Sequence, residues 1–226
     1  MAGLVQVVVF DVNETLSDME PLRRRFTDAG APAGLLGTWF ASTLRDGFAL
    51  AAAESAAPFP QVAAGAMRSL LSLEPHLTMP VEDVVTSVLS GFSTLVLHPD
   101  VADGMRALAA AGVRMITLTN GSAAMAEKLF DRAGVSGLVE QRLSVDDAGR
   151  WKPHPRSYRY AAEQCGVAPE QMCLVAVHPW DTDGAKRAGM RSAWIDRNGA
   201  PYPEAFLPPD VAGPDLSSVA REILAL

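Results

Sequence analysis

Asp11 is the residue whose type and position most clearly indicate chemistry. It directly follows the apolar run of residues 4–10, and the chain then turns through residues 12–15. In open α/β sheets, reactive groups lie at the carboxyl ends of buried parallel strands. A carboxylate placed there can displace a leaving group by nucleophilic attack. Asp11 is therefore a candidate nucleophile.

Three further segments carry polar side chains at predicted strand ends: Thr119-Asn120, Trp151-Lys152-Pro153 and residues 178–183. An aspartate that attacks carbon must be ionised and partly stripped of water, so a nearby cation must offset its desolvation. Lys152 is the candidate for that cation. A lysine before a turn-forming proline is equally typical of an exposed surface.

These segments need a scaffold of alternating helices and strands, and the sequence from residue 98 has that pattern. It predicts, in chain order, a helix from Pro99 to Gly112, a strand at 113–119, a helix capped by Ser122 and stopped by Gly134, an extended segment at 138–145, a helix at 155–165, a strand at 172–177, a helix at 181–188 and a strand at 191–195. Such alternation indicates βαβ units, and thus an α/β fold with a mainly parallel, Rossmann-like sheet.

Residues 17–97 have a different pattern. They are rich in alanine and predict helices at about 20–29, 32–55, 60–73 and 81–95, separated by prolines. We therefore predict a core domain of residues 1–16 and 98–226, with residues 17–97 inserted as a helical cap over the carboxyl edge of the sheet. A cap would exclude water from the site. The proline-rich residues 201–214 predict a loop before a last short helix.

Composition excludes several classes of function. The 226 residues are 49% hydrophobic and 20% charged with a net charge of −7, which argues against a nucleic-acid partner. We find no secretion signal and no apolar stretch of about 20 residues for a membrane span. Cys165 and Cys173 form neither a disulfide framework nor a metal-binding spacing. These features predict a soluble, cytoplasmic protein, and the motifs rather than the composition predict that its partner is a small-molecule substrate.

The order and spacing of the four segments resemble the haloacid dehalogenase (HAD) superfamily over nearly the whole chain, and in particular its type II L-2-haloacid dehalogenases. The resemblance implies that Asp11 is the nucleophile and that Thr15 holds its loop. It also implies that Lys152 pairs with Asp11, and that Tyr158, six residues later, lines the pocket. Asp181 would help to position the lysine and the hydrolytic water.

The resemblance assigns Thr119 and Asn120 to the second motif, where they would hold the nucleophile or the carboxylate of the bound acid. Most phosphatases of the superfamily have a second Asp at the position of Asn13. An alkoxide leaving group needs a proton from such an acid, whereas a halide needs none. Asn13 therefore favours carbon–halogen cleavage, although asparagine also suits a tight turn.

The fourth motif departs from these dehalogenases, because Ala176 and His178 replace a serine and an asparagine. His178 could orient a water molecule, act as a base or be structural. Trp180 precedes Asp181 and is expected near the substrate. Asp183 is additional, and could join Asp11 and Asp181 at a cation.

A second departure lies in the cap, where the family places an arginine that holds the departing halide. No arginine stands at the equivalent position, and the nearest candidate is Arg45, which a helix surface would explain equally well. Trp39, Phe40 and Phe48 are expected in the cap core or the pocket wall. Met19, near the first loop, is a further candidate for the wall.

The residues leave three functional hypotheses. The first is hydrolysis of small 2-haloacids through an aspartyl ester, which needs no metal. The second is a Mg²⁺-dependent phosphohydrolase or phosphonatase-like enzyme, in which Asp11, Asn13 and Asp181 would bind the cation. The third is a non-catalytic binding protein with the same fold. The resemblance also implies a possible homodimer formed through the cap.

Overall fold

The computed structural model describes residues 5–226, in which strands and helices alternate along most of the chain. Its strands are β1 (Val7–Phe10), β2 (Ser17–Asp18), β3 (Val96–Leu97), β4 (Arg114–Thr119), β5 (Gln141–Ser144), β6 (Met172–Ala176), β7 (Arg191–Ile195) and β8 (Val211–Gly213). Its α-helices are α1 (Pro21–Asp28), α2 (Leu35–Ala52), α3 (Phe59–Leu71), α4 (Val81–Gly91), α5 (Val101–Ala110), α6 (Ala123–Ala133), α7 (Val145–Ala148), α8 (Pro155–Cys165), α9 (Pro179–Arg187) and α10 (Leu216–Ile223).

Six parallel strands form the central sheet in the order β5, β4, β1, β6, β7, β8. All four residues of β1 are completely buried, as expected for a strand covered on both faces. After β1 the sheet grows first on one side, through β4 and β5, and then on the other side, through β6 to β8. The carboxyl end of β1 is thus the switch point at which such sheets bind ligands. The predicted α/β class with a mainly parallel sheet is confirmed.

Helices α1 to α4 lie between β2 and β3, and we call them the helical insert. Strands β2 and β3 pair antiparallel in a separate two-stranded sheet, so the two ends of the insert lie side by side. Trp39 lies at the centre of the insert, fully buried, with its ring centroid 5.8 Å from that of Phe26 and 6.1 Å from that of Phe92. Its indole N–H donates to the carbonyl of Ala63 at 2.8 Å, which satisfies the one polar atom of the side chain.

The structure corrects several local expectations. Strands β2, β3 and β8 were not predicted, and β8 lies within the segment that was expected to be a loop. Ser122 precedes α6 as predicted, but its side chain accepts no capping hydrogen bond. Strand β5 ends at Ser144, and α7 follows it, so Lys152 is in a loop beyond that helix and not at a strand end. Leu4, in the predicted first strand, lies outside the described residues.

Gly47 of α2 brings the insert close to the loop that carries Lys152. A Cβ atom at Gly47 would lie 2.1 Å from the ring of Trp151, the neighbour of Lys152. Trp151 also stacks on Phe59 of α3, with centroids 6.0 Å apart, and its indole nitrogen donates to the carbonyl of Ala57 at 2.9 Å. One tryptophan therefore joins the insert to this loop.

We predict that Gly47→Ala destabilises the protein by about 1–3 kcal/mol, because the methyl group overlaps Trp151. The matched control is Gly37→Ala in the same helix, where the added Cβ meets nothing within 4 Å. The control should be neutral or stabilising by up to about 1 kcal/mol through helix propensity. Urea denaturation of both variants checks this. Equal stability of the two variants would contradict the close contact.

Candidate active site

Asp11 is held at the carboxyl end of β1 by short hydrogen bonds. Its backbone nitrogen donates to the carbonyl of Val175 at 3.1 Å, which continues the pairing with β6. The hydroxyl of Thr15 donates to Asp11 Oδ2 at 2.6 Å and itself accepts from the backbone N–H of Val177 at 3.1 Å. Only 4% of Asp11 is exposed. The turn after β1 therefore aims a nearly buried carboxylate.

Lys152 lies between two carboxylates. Its Nζ is 2.9 Å from Asp11 Oδ1 and 2.6 Å from Asp181 Oδ2, and the side chain is fully buried. Asn120 holds the backbone of this lysine at both polar atoms, since its Oδ1 accepts from Lys152 N at 2.9 Å and its Nδ2 donates to Lys152 O at 3.3 Å. Asn120 therefore fixes the loop that carries the cation.

Asp181, near the start of α9, receives a second donor from Tyr158. The phenol of Tyr158 donates to Asp181 Oδ1 at 2.6 Å, so both oxygens of Asp181 are engaged. Gly184 leaves room for this phenol, because a Cβ there would lie 2.5 Å from Tyr158 Oη. Burial and the neighbouring Asp181 raise the pKa of Tyr158 well above its usual value. The phenol thus stays protonated as a donor.

The charges of Asp11, Lys152 and Asp181, which we call the triad, favour an ionised nucleophile. Burial by itself would raise the pKa of Asp11, but Lys152, His178 and the Thr15 hydroxyl together bring it below the usual value. Burial raises the pKa of Asp181 despite its bond to Lys152, and the nearby Asp11 adds to that effect. Burial opposes the charge of Lys152, yet the two carboxylates raise its pKa. One ammonium shared by two carboxylates thus keeps Asp11 charged.

The side chains of Thr119 and Asn13 both lie beside Gly121. The Thr119 hydroxyl accepts from the N–H of Gly121 at 2.9 Å and is almost completely buried. A Cβ built on Gly121 would lie 3.2 Å from the Asn13 amide nitrogen and 3.2 Å from Thr119 Oγ1. The missing side chain of Gly121 therefore leaves room for these two polar side chains.

His178 lies at the edge of the site. Its Nε2 is 3.2 Å from the Asn13 carbonyl, 3.7 Å from Asp11 Oδ2 and 3.7 Å from Glu14 Oε2. Its ring stacks on Trp180 with centroids 5.0 Å apart. Because a carbonyl only accepts, Nε2 carries the hydrogen in this arrangement. The geometry therefore favours His178 as a hydrogen-bond donor over a base acting through Nε2.

Sequence reasoning did not single out Glu14 as a site residue. Its φ of 63° is in the left-handed region, which is uncommon for a residue other than glycine. This conformation turns the chain directly after Asn13, and the Glu14 carbonyl is 3.1 Å from His98 Nε2. A signal was present in the sequence, because Glu14 stands inside the turn that follows the candidate nucleophile.

Two cavities flank the site. One, of about 310 Å³, is mostly apolar and reaches Asn13 and Thr119. The other, of about 770 Å³, is more polar and open, and its wall includes Glu14, His178 and Met19. The turn after Asp11 contributes to both walls, since Val12 and Asn13 line the apolar cavity and Glu14 lines the polar cleft.

Some predicted site residues lie elsewhere. Arg45 is on the exposed face of α2 and pairs with Asp46 at 2.8 Å, so the structure does not bring it together with the other predicted site residues. Trp39 is buried in the centre of the insert and lines neither cavity. Trp180 is nearer, with its ring centroid 6.0 Å from Lys152 Nζ.

The carboxylates do not fit a divalent cation. Lys152 Nζ already lies between Asp11 and Asp181, and Tyr158 takes the remaining oxygen of Asp181. Asp183, the additional candidate, instead accepts from Arg187 and from the backbone of Leu207. Within residues 5–226, no three His, Cys, Asp or Glu side chains form a metal cluster. The predicted alternative of Mg²⁺ at Asp11, Asn13 and Asp181 therefore disagrees with this geometry.

The fold and the triad define a hydrolase of the HAD type. The family model of haloacid dehalogenase-like hydrolases matches residues 5–189, and the chain belongs to this family. Among the helices of residues 5–226, none has the length and apolar composition to cross a bilayer.

Curated relatives and a solved structure are similar to this chain, one relative over about half of its length and the other two proteins over nearly all of it. The (S)-2-haloacid dehalogenase 4A of Burkholderia cepacia is 28% identical, over 92% of this chain and 90% of that protein. Haloacetate dehalogenase H-2 of Moraxella sp. (strain B) is 35% identical, but the match spans only 55% of this chain and 56% of that protein. The crystal structure of an L-2-haloacid dehalogenase superimposes with a TM-score of 0.88 at 26% identity, covering 98% of this chain and 99% of the other.

Proposed function

We propose that the protein hydrolyses the carbon–halogen bond of small 2-haloacids, giving a 2-hydroxy acid and a halide. The observation that carries the proposal is the buried Asp11 carboxylate, bound to Lys152 at 2.9 Å and to Thr15 at 2.6 Å, with Asn13 in place of a second acid. Such a site can generate an anionic nucleophile but has no acid at that position to protonate a leaving group. The relatives named for 2-haloacid dehalogenation support the same reaction.

The first step is displacement at carbon. One oxygen of Asp11 attacks C2 of the haloacid in line, the carbon–halogen bond breaks, and the halide leaves with the bonding electron pair. An aspartyl ester results, and C2 is inverted. Thr119, Asn120 and the amide of Asn13 are the proposed contacts of the substrate carboxylate. Lys152 keeps Asp11 ionised until the attack.

The second step is hydrolysis of the ester. Water attacks Cγ of Asp11, and the bond between Cγ and the substrate-bearing oxygen breaks. The hydroxy acid leaves, Asp11 regains its carboxylate, and one proton is released in the overall reaction. Asp181, held by Lys152 and Tyr158, and His178, at the polar cleft, are the proposed groups that position the water.

The helical insert is the proposed cap. Phe48 of α2 contacts Trp180 with centroids 4.9 Å apart, and Trp151 joins α2 and α3 to the lysine loop. These contacts lie beside the triad at the carboxyl edge of the sheet. A cap at this position limits the entry of water and strengthens the electrostatic interactions of Asp11.

A halide-release assay tests the function. Purified protein is incubated with (S)-2-chloropropionate and (S)-2-bromopropionate, and chloride, bromide and lactate are quantified. Phosphate release from p-nitrophenyl phosphate and from phosphonoacetaldehyde is measured in parallel with Mg²⁺. Phosphate without halide would reject the proposal in favour of a phosphohydrolase. No turnover on any substrate would favour a binding protein.

We predict that EDTA leaves the rate of halide release unchanged, because the ammonium of Lys152 occupies the space between Asp11 and Asp181. The comparison uses enzyme dialysed against EDTA, assayed with and without added Mg²⁺. A loss of activity on chelation that Mg²⁺ restores would contradict this metal-free mechanism.

A further inference from the structure

The apolar cavity beside the Asp11 loop lies between the helical insert and α6. It encloses about 310 Å³. Most of its wall is hydrocarbon, contributed by Phe59, Leu89, Phe92, Met125, Ala126 and Leu129. The wall thus combines residues of the helical insert with residues of α6. It also includes Val12, the residue that follows the candidate nucleophile Asp11.

One end of this cavity is polar and belongs to the site. Asn13 and Gly121 line it there, together with the hydroxyl of Thr119. Asn13 is two residues after the nucleophile, and Thr119 is at the end of the neighbouring strand β4. A ligand whose carboxylate binds these groups has the apolar part of the cavity beside its carbon chain.

The size of the cavity exceeds what a haloacetate needs. An apolar protein cavity of about 150 Å³ is large enough to bind benzene. This one has about twice that volume. Each methylene group that moves from water into contact with such an apolar wall lowers the dissociation constant by about fourfold.

We propose that this cavity binds an apolar substituent on C2, so that the preferred substrates are 2-haloacids with an alkyl chain of several carbons. The inference rests on the proposed function, and it adds the chemical class of the substrate. It assigns selectivity for chain length to the wall formed by the insert and α6.

The first test compares two substrates that react at the same kind of carbon. (S)-2-Chlorohexanoate has three more methylene groups than (S)-2-chloropropionate, so its kcat/KM should be about 50-fold higher. Equal values, or a preference for the shorter acid, would overturn the proposal.

The second test fills the cavity. Ala126→Phe places a ring in the pocket and should lower the hexanoate-to-propionate ratio at least tenfold. Ala124→Phe, at an exposed position on the same helix, is the matched control and should leave the ratio unchanged. Thermal unfolding monitors the fold, and Ala126→Leu replaces the larger variant if that one does not fold. An unchanged ratio in a folded Ala126 variant would count against the pocket.

A binding measurement separates this proposal from the proposed function. Titration calorimetry measures the affinity of the protein for hexanoate and for propionate. Neither acid has a leaving group, so binding to the pocket is measured without any reaction. Tighter binding of hexanoate supports the pocket even if no halide is ever released, in which case only the proposed function fails. Halide release from both chloroacids, with equal affinity for the two unhalogenated acids, leaves the function intact and overturns the pocket.

Discussion

Replacing Asp11 with asparagine is expected to lower the rate of halide release by about 10⁴-fold or more, since removal of a nucleophile abolishes the covalent route. Asparagine has nearly the shape of aspartate and can still accept the hydrogen bond that Thr15 donates. It has no anionic oxygen with which to displace the halide. The loss should therefore appear in kcat while the fold remains intact.

The matched control is Asp183→Asn. Asp183 is also nearly buried near the start of α9, but it pairs with Arg187 and with the backbone of Leu207, outside the triad. Its substitution should change kcat by less than about twofold. More than a hundredth of the wild-type rate in Asp11→Asn, with an intact fold, would contradict the assignment of the nucleophile.

Isotope labelling tests the same carboxylate without a substitution. In a single turnover in H₂¹⁸O, the heavy oxygen should enter the side chain of Asp11 and not the hydroxy acid, because water attacks Cγ. Mass spectrometry of the peptide that contains Asp11 measures this. Heavy oxygen found directly in the product of the first turnover would indicate direct attack of water on C2.

Replacing Lys152 with methionine is expected to abolish activity and to destabilise the protein by about 3–5 kcal/mol at neutral pH, because it leaves buried carboxylates without their cation. Asp11 is 4% exposed and Asp181 is fully buried, so solvent cannot take the place of the ammonium. Methionine retains the apolar stem of the side chain. The effect therefore reports the charge more than the packing.

The destabilisation by Lys152→Met should depend on pH. Without the cation, burial and mutual repulsion raise the pKa values of Asp11 and Asp181 in the folded state above their unfolded values, near about 4. A raised pKa gives stability that is present at low pH and is lost as the pH rises through the folded value. The variant should thus be closer to wild type at about pH 5 than at about pH 8.

Urea denaturation of wild type and variant at the two pH values provides the measurement. Lys128→Met, at an exposed position of α6, is the control and should change stability by less than about 0.5 kcal/mol at either pH. An equal loss at both pH values would mean that packing, not charge, explains the effect. Full stability at pH 8 would show that the buried triad does not form.

The helices of the insert show which features follow from local sequence. Predicted helices at about 20–29, 32–55, 60–73 and 81–95 correspond to α1 to α4, which end within a few residues of the expected positions. Local composition and prolines set these boundaries. The two-residue strands β2 and β3 were missed, because their pairing joins residues 17–18 with residues 96–97, and no local pattern encodes it.

The sequence alone determined the α/β class, the family and the candidate triad, since the alternation of helices and strands and the types and order of the motif residues can be read along the chain. Only the tertiary structure decided how the triad is assembled: Lys152 and Asp11 are 141 residues apart in sequence, and their ion pair depends on the loop that Asn120 holds. The structure also shows Arg45 exposed and paired with Asp46, and an apolar cavity beside Asn13. Side-chain positions of this kind depend on packing between distant segments, which no single stretch of sequence specifies.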